Sequence, residues 1–212
     1  MTEQIIGKDG ALARIKNLLS TSSDRTLVGI VGKPGAGKST LSAYLLEQIK
    51  SSQLSIVPMD GYHLSNLVLK TLGRDQRKGA PDTFDVVGFA TLLRRIKSEK
   101  NEDIYYPIFD RTIEESIAAQ GVVSKETSIV IVEGNYLLHD QDGWEQVAEL
   151  LDEIWFIDVD DELRLQRLIN RHIAFGKSPD LAEKWARGSD EINAQIIAAG
   201  RDRAHAVINI RE

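Results

Sequence analysis

The sequence predicts an α/β fold in which a parallel sheet is sandwiched by helices. Three observations carry that prediction. Short β-branched runs alternate along the chain with segments of helical periodicity, the pattern of a parallel sheet covered on both faces. A glycine-rich turn joins one of the strongest runs to a helix. Single acidic residues stand at the ends of two other runs, where neighbouring parallel strands open onto one crevice. At 212 residues the chain is long enough to bury a sizeable core, and it is read as a single domain over residues 1–212.

Taken in order, residues 10–20, "GALARIKNLLS", carry apolar positions at helical spacing, and "TSSDR" breaks the pattern before the strand "TLVGIV". Helical periodicity resumes from Lys38 to Lys50, and "SIVPMD" reads as a second short strand ending at Asp60. The polar stretch 73–82, "GRDQRKGAPD", reads as a surface loop, and "FDVVGFATLLRRIKS" from Phe84 as an amphipathic helix. "SIVIVEG" and "EIWFIDV" are further strands. A long charged helix, "DELRLQRLINRHI", then leads through "AFGKSPD" to another helix reaching about Ala199, and "AVINI" closes the sheet.

Composition narrows the function classes. The 26 Lys and Arg face 32 Asp and Glu, for a formal charge of −6, so no global basic field favours nucleic acid or an anionic membrane. With no cysteine, thiol catalysis, disulfides and cysteine-held metals are excluded. The first ten residues lack a signal-peptide pattern and no apolar run approaches the roughly 18 residues of a membrane span. A soluble, cytoplasmic protein is the expectation. The histidines at 63, 139, 172 and 205 are scattered without zinc-ligand spacing.

The strongest chemical signal is Gly32-Lys33-Pro34-Gly35-Ala36-Gly37-Lys38-Ser39, a full match to GxxxxGKS between a strand and a helix, with Thr40 continuing into that helix. Chance alone supplies such a match in a chain of this size on the order of one time in a hundred. Glycines let successive amide N–H groups turn inward at phosphate oxygens, and the helix N-terminus adds partial positive charge there. Lys38 supplies a mobile cation for the outer phosphates, and the Ser39 hydroxyl a hard oxygen for Mg2+. The expected fold is therefore a P-loop NTPase type, and the expected cofactors are ATP and Mg2+.

The acidic residues bear on where the phosphoryl group goes. Asp60, near the phosphate loop at a strand end, is placed to take the proton of an attacking hydroxyl, with helix capping as the alternative. Glu133 ends "SIVIVE", where a second Mg2+ group is expected. Arg164, Arg167 and Arg171 share one helix face, either solvated and paired with acids such as Asp160 and Asp161 or closing over the transferring phosphoryl group.

The ordered set of the phosphate loop, "MDGYH", "APDTFD", "PIFD", "VEGNYLL" and "DVDDELRLQRLINRH" resembles the uridine kinase, pantothenate kinase and phosphoribulokinase family of small-molecule kinases from about residue 26 to 210. "RKGAPDTFD" with "VEGNYLL" is most similar to the bacterial subgroup described as fructose-transport-kinase or pantothenate-kinase-like. The resemblance implies a general base at Asp60, Mg2+ at Ser39 and Glu133, and a small helical lid over about 164–180. In that lid Arg164 binds nucleotide, Arg167 and Arg171 act with Lys38 in catalysis, and Lys177 is a further basic group. It also implies substrate contacts at His63, Phe109 and Asp82, with Asp85 near enough to be the counterpart of Asp82. A homodimer is a further possibility, since family members often assemble.

One departure matters. After "PIFD" the chain reads "DRTIEES" in place of the family's base-reading histidine and arginine, which weakens a uridine or cytidine assignment. A sugar, polyol or pantothenate needs hydrogen-bonding groups without a base clamp, and Asp82, His63, Arg111 and Asn135 offer them, although Asp110 and Glu114 are alternative surface partners for Arg111. Arg74, Arg77 and Lys78 form a small basic loop, read either as solvated surface or as a holder of an anionic substrate. The expected function is ATP-dependent phosphoryl transfer to a hydroxyl of a small metabolite. The alternative is a regulatory ATPase or a non-catalytic nucleotide binder; a guanine-reading NKxD is absent, and such a protein has no use for a base at Asp60.

Overall fold

The computed structural model describes residues 2–210. In chain order it comprises β1 (Glu3–Ile6), α1 (Gly7–Thr21), β2 (Thr26–Val31), α2 (Lys38–Ile49), β3 (Leu54–Pro58), α3 (Asn66–Thr71), α4 (Val86–Ser98), β4 (Ile104–Asp110), β5 (Glu115–Val123), β6 (Ile129–Gly134), α5 (Glu145–Ala148), β7 (Glu153–Asp158), α6 (Asp161–Ala174), α7 (Pro179–Arg187), α8 (Ser189–Ala198) and β8 (Ala206–Asn209). Six strands form one sheet in the order β1-β8-β7-β2-β6-β3, parallel throughout. Among the described residues no helix is long and apolar enough to cross a membrane.

The period-2 alternation of each central strand divides the core into two layers. Val28 and Ile30 of β2, Ile129 and Ile131 of β6, and Trp155 and Ile157 of β7 face α1 and α2 with Ala11, Ile15, Leu41 and Leu45. Leu27, Val130, Val132 and Phe156 face the opposite layer, with Phe89 and Leu93 of α4, Trp144 and Ile197 of α8. The inner strands read as near-continuous apolar runs because both faces are covered.

Local chemistry sets the helix ends. Asp85 caps α4 by accepting from the Gly88 amide, so the helix starts one residue after Asp85 rather than at Phe84. Asp160 caps α6 through the amides of Glu162 and Leu163, and Ser178 caps α7 ahead of Pro179. The single helix expected up to about Ala199 is two, α7 and α8, broken at Gly188, whose backbone leaves the helical region at φ −99° and ψ −104°.

The sequence reading missed β1, α3 and both strands of the β4–β5 hairpin. β1 is a four-residue edge strand with two polar positions, paired with the far C-terminal β8. α3 is a helix of barely one and a half turns. β4 and β5 form an antiparallel hairpin outside the main sheet, with an irregularity between Tyr106 and Ile108 and a mostly solvated second strand. The hairpin is tied to β3 by the Tyr106 hydroxyl, which donates to the Ile56 carbonyl at 2.6 Å. β3 also ends sooner than expected, at Pro58, so Asp60 stands on a 3-10 turn, Met59–Tyr62, rather than on the strand itself.

Candidate active site

The turn between β2 and α2 owes its shape to glycine. Gly35 and Gly37 have φ of +84° and +94°, the left-handed region that a side chain disfavours. A Cβ on Gly35 would also stand 2.5 Å from the Arg164 carbonyl oxygen, so α6 packs directly behind the loop. Arg164 is 2% exposed. Its Nε donates to Asp161 at 2.9 Å, its Nη2 to Glu191 at 2.6 Å and its Nη1 to the Pro34 carbonyl at 3.4 Å. Lys33 on the loop pairs with the same Asp161 at 2.7 Å. Lys38 Nζ donates to the carbonyls of Gly32 at 2.7 Å and Lys33 at 3.3 Å. Burial brings its pKa down to about 8, against the opposing pull of Asp60 and Glu133.

Glu133, one residue before the end of β6, stands in register with Ile30 of β2 and Pro58 of β3, and lies on the strand face shared by Ile129 and Ile131, toward α2. There Ser39 Oγ donates to its Oε1 at 3.0 Å, while Oε2 is buried without a hydrogen-bond partner. Burial raises its pKa above the ordinary carboxylate value, with the hydroxyls of Ser42 and Ser39 drawing it back down.

Asp60 faces this cleft from the other side. Its Oδ2 accepts from Arg111 Nη2 at 2.8 Å, across from the hairpin tip. Gly61 makes that approach possible, because any Cβ there would collide with the Pro107 backbone of β4. His63 closes the turn, with Nδ1 2.8 Å from the Asp60 carbonyl and its ring centroid 4.0 Å from Phe84 and 4.7 Å from Phe109. Burial lowers the His63 pKa. Arg171 reaches the same field: its pKa is lowered by burial and then by Arg111, while Asp190 and Asp60 oppose the shift. Lys38 accordingly feels Asp60, Glu133, Arg171 and Arg111 together, so groups from five separate segments converge on one crevice.

Residues 27–210 match the profile of the phosphoribulokinase/uridine kinase family. The chain belongs to that family. Its relatives include a candidate uridine kinase, C227.14, of Schizosaccharomyces pombe, 34% identical over 160 residues that take in 72% of this chain and 68% of the relative. YggC of Escherichia coli strain K12 is 32% identical over 192 residues, 89% of this chain and 79% of YggC. Among solved structures, a candidate fructose transport system kinase from Silicibacter sp. TM1040 superposes with a TM-score of 0.82 at 36% identity, covering 94% of this chain and 98% of the other. The bacterial subgroup indicated by "RKGAPDTFD" and "VEGNYLL" therefore has a structural counterpart.

Within this kinase framework the structure brings Lys38, Ser39, Glu133, Asp60, His63, Phe109, Arg111 and Arg171 together, and sets other expected residues apart. Arg164 packs behind the phosphate loop, bonded to the Pro34 carbonyl. Arg111 pairs with Asp60, not with Asp110 or Glu114. Asp82 is engaged by its own loop, with Arg77 donating to both carboxylate oxygens and Arg74 Nε 3.4 Å away. It lines a separate cavity of about 620 Å³ with His139, Arg203 and Ile196. Asp85 is spent as the α4 cap. The Asn135 amide N–H donates to Met59 Sδ at 3.2 Å, which fixes the backbone beside the cleft. Arg167 lies half-buried on α6, and Lys177 stands over Trp185 at 4.8 Å.

The sequence reading missed Gly61, Glu191 and Ser42, whereas Asp161 was among the acids it offered as partners for the arginine face, and it pairs with Arg164. Gly61 carried a signal, a glycine directly after the candidate base. Glu191 carried none, since it meets Arg164 across 27 residues and two helix breaks.

Proposed function

We propose that the protein transfers the γ-phosphoryl group of ATP to a hydroxyl of a small metabolite, with Asp60 as general base. The observation that carries this reading is the placement of an Asp60 carboxylate, one oxygen held by Arg111, opposite Lys38 and the phosphate loop. A hydrolase needs only a positioned water; a carboxylate fixed on the far wall of the cleft suits a bound alcohol.

The donor set suits Mg2+. Ser39 Oγ and the unpartnered, buried Glu133 Oε2 are hard oxygens on one wall, and among the described residues no cluster of three or more His, Cys, Asp or Glu is present. Two protein oxygens are what an ion that keeps its waters and phosphate ligands requires. When bound there, it neutralises charge on the triphosphate.

The chain's own groups do the rest. The loop amides and Lys38 hold the phosphates in line with the acceptor. Asp60 Oδ1 receives the acceptor's hydroxyl proton, while Arg111 on Oδ2 fixes the carboxylate plane. Arg167 and Arg171, on the part of α6 beyond the buried Arg164, with the turn before α7, act as a lid that brings positive charge over the transferring group and excludes water. His63, Phe109 and Asn135 border the acceptor.

The test is ADP release by the purified protein with MgATP against hydroxylated metabolites. Asp60→Asn is expected to bind ATP as the wild type does, yet to lose acceptor-stimulated turnover by roughly 100- to 10,000-fold. ADP release that ignores every acceptor and survives Asp60→Asn would overturn the assignment.

A further inference from the structure

Two cations stand over one aromatic wall beside the candidate base. Lys78 Nζ lies 5.0 Å from the Phe109 ring centroid and Arg111 Cζ lies 6.0 Å from the same centroid. Neither belongs to the phosphate-holding machinery. Lys78 comes from the loop before α4 and is anchored to the start of α3 and the hairpin tip, donating to Asn66 Oδ1 at 2.7 Å and to the Glu114 carbonyl. Its third N–H has no partner among the described residues, and no carboxylate of those residues comes within 4.0 Å of it. Arg111 spends one N–H on Asp60 and holds its remaining donors uncommitted among the described residues.

We propose that the acceptor carries an anionic group, a carboxylate or a phosphate, which Lys78 and Arg111 receive while its hydroxyl rests on Asp60. The inference rests on the kinase reading and names the substrate class for the same site. A purely neutral polyol would leave the half-buried Lys78 facing it with no return for its lost hydration and would not use the free Arg111 donors. An anionic group supplies charge-assisted hydrogen bonds to the free donors of both, and the planar Arg111 fork suits either oxyanion. The Lys78 pKa agrees with this placement, lowered first by burial, which the carboxylates of Glu115 and Glu114 offset only in part. The other basic residues of its loop are unsuited to the task, since Arg74 and Arg77 are both committed to Asp82. His63 and Phe109 then form the apolar wall between the anion's end and the hydroxyl's end.

The experiment compares matched pairs that differ only in the charged group: glycerate with glycerol, gluconate with glucitol, and fructose 6-phosphate with fructose. Binding is measured calorimetrically on the full chain with Mg2+ and an imido-bridged, non-hydrolysable ATP analogue. In the wild type the charged member of at least one pair is expected to bind ten- to hundredfold more tightly than its neutral partner. Lys78→Met should bring that pair near parity, and Lys78→Arg should retain most of the preference. Carboxylate and phosphate pairs separate the two sources of charge. Equal binding within every pair, or a preference that survives Lys78→Met, overturns the proposal. Turnover is a separate readout: anion-selective binding without acceptor-dependent ADP release would sink the kinase reading and leave the anion site standing.

Discussion

Single residues in the cleft trade stability for chemistry. Glu133 is the clearest, a carboxylate with one oxygen buried and unpartnered whose burial raises its pKa. The sign follows from proton linkage. A carboxyl that holds its proton more tightly when folded favours the fold at low pH, and its charged form opposes folding increasingly as pH rises from the ordinary Glu value through the raised one. Glu133→Gln keeps the shape and removes that cost. We expect its melting temperature at pH 7 to rise by about 2–4 °C, the equivalent of roughly 1 kcal/mol in a chain of this size. The Mg2+ concentration for half-maximal turnover should rise at least about tenfold, as with lost metal-site groups elsewhere. Calorimetry and a Mg2+ titration of activity check both, and a variant that gains stability with unchanged Mg2+ dependence would remove Glu133 from the metal site. That Glu133 would meet Ser39 was legible in the sequence, because a carboxylate ending the strand beside a P-loop strand has few other places to point. That Arg111 would meet Asp60 was not, because the contact spans 51 positions and depends on a hairpin that alternation did not reveal.

At the scale of elements, the cleft is assembled by pieces that each bring a fixed partner. The phosphate loop is backed by α6 through Arg164, the base turn is backed by the hairpin through Gly61, and the segment 74–82 is closed on itself by Arg77 and Asp82. This last closure carries a pH signature. Hydrogen bonds from Arg77, with Arg74 nearby, hold the Asp82 pKa below the usual carboxylate value. Its stabilisation is therefore complete above about pH 4, the unfolded value, and is lost as pH falls through the lower folded value. Both side chains are partly solvated, so the effect is small. Asp82→Asn should melt about 1–2 °C below wild type at pH 7, with the deficit shrinking as pH falls below about 4, as thermal unfolding across that range would register. A deficit that persists at the acid end would assign Asp82 a role beyond the ion pair. The hairpin escaped the sequence pattern because of its own composition. β5 is mostly solvated and Pro107 interrupts β4, so neither strand shows a clean period of two.

The whole molecule separates its two tasks between the ends of the sheet. At the carboxyl ends lie the phosphate loop, Asp60 and Glu133. Before the amino end of β2 lies Arg25, 7% exposed, whose guanidinium donates to five carbonyls: Thr127 at 2.9 Å, Ile96 and Glu99 at 3.0 Å, and Ser124 and Lys125 at 3.3 Å. One side chain thus joins β2, the end of α4 and the segment entering β6. Arg25→Met leaves these carbonyls short of donors and should cost about 3 kcal/mol, lowering the melting temperature by roughly 6–12 °C. At 25 °C kcat/KM should stay within about twofold of wild type, since nothing at the opposite end of the sheet is touched. A matched loss of turnover in the still-folded variant would show that the two ends are coupled.

By itself the sequence determined the fold class, the family, the phosphate loop and the presence of acidic residues beside it. These rest on local signals: runs of apolar residues, a glycine pattern whose spacing is its mechanism, and, for Glu133, a side chain fixed in direction by its strand. Tertiary structure alone decided that Asp60 is clamped by Arg111, that Arg164 supports the loop from behind, that Asp82 is bound into its own loop, and that Lys78 lies over Phe109. The Asp82 closure is local, spanning five residues, but its choice over the cleft is fixed by the folded loop; the others depend on which distant segments pack together, and such a contact is specified by the balance of the whole core rather than by any stretch of residues that could be read in line.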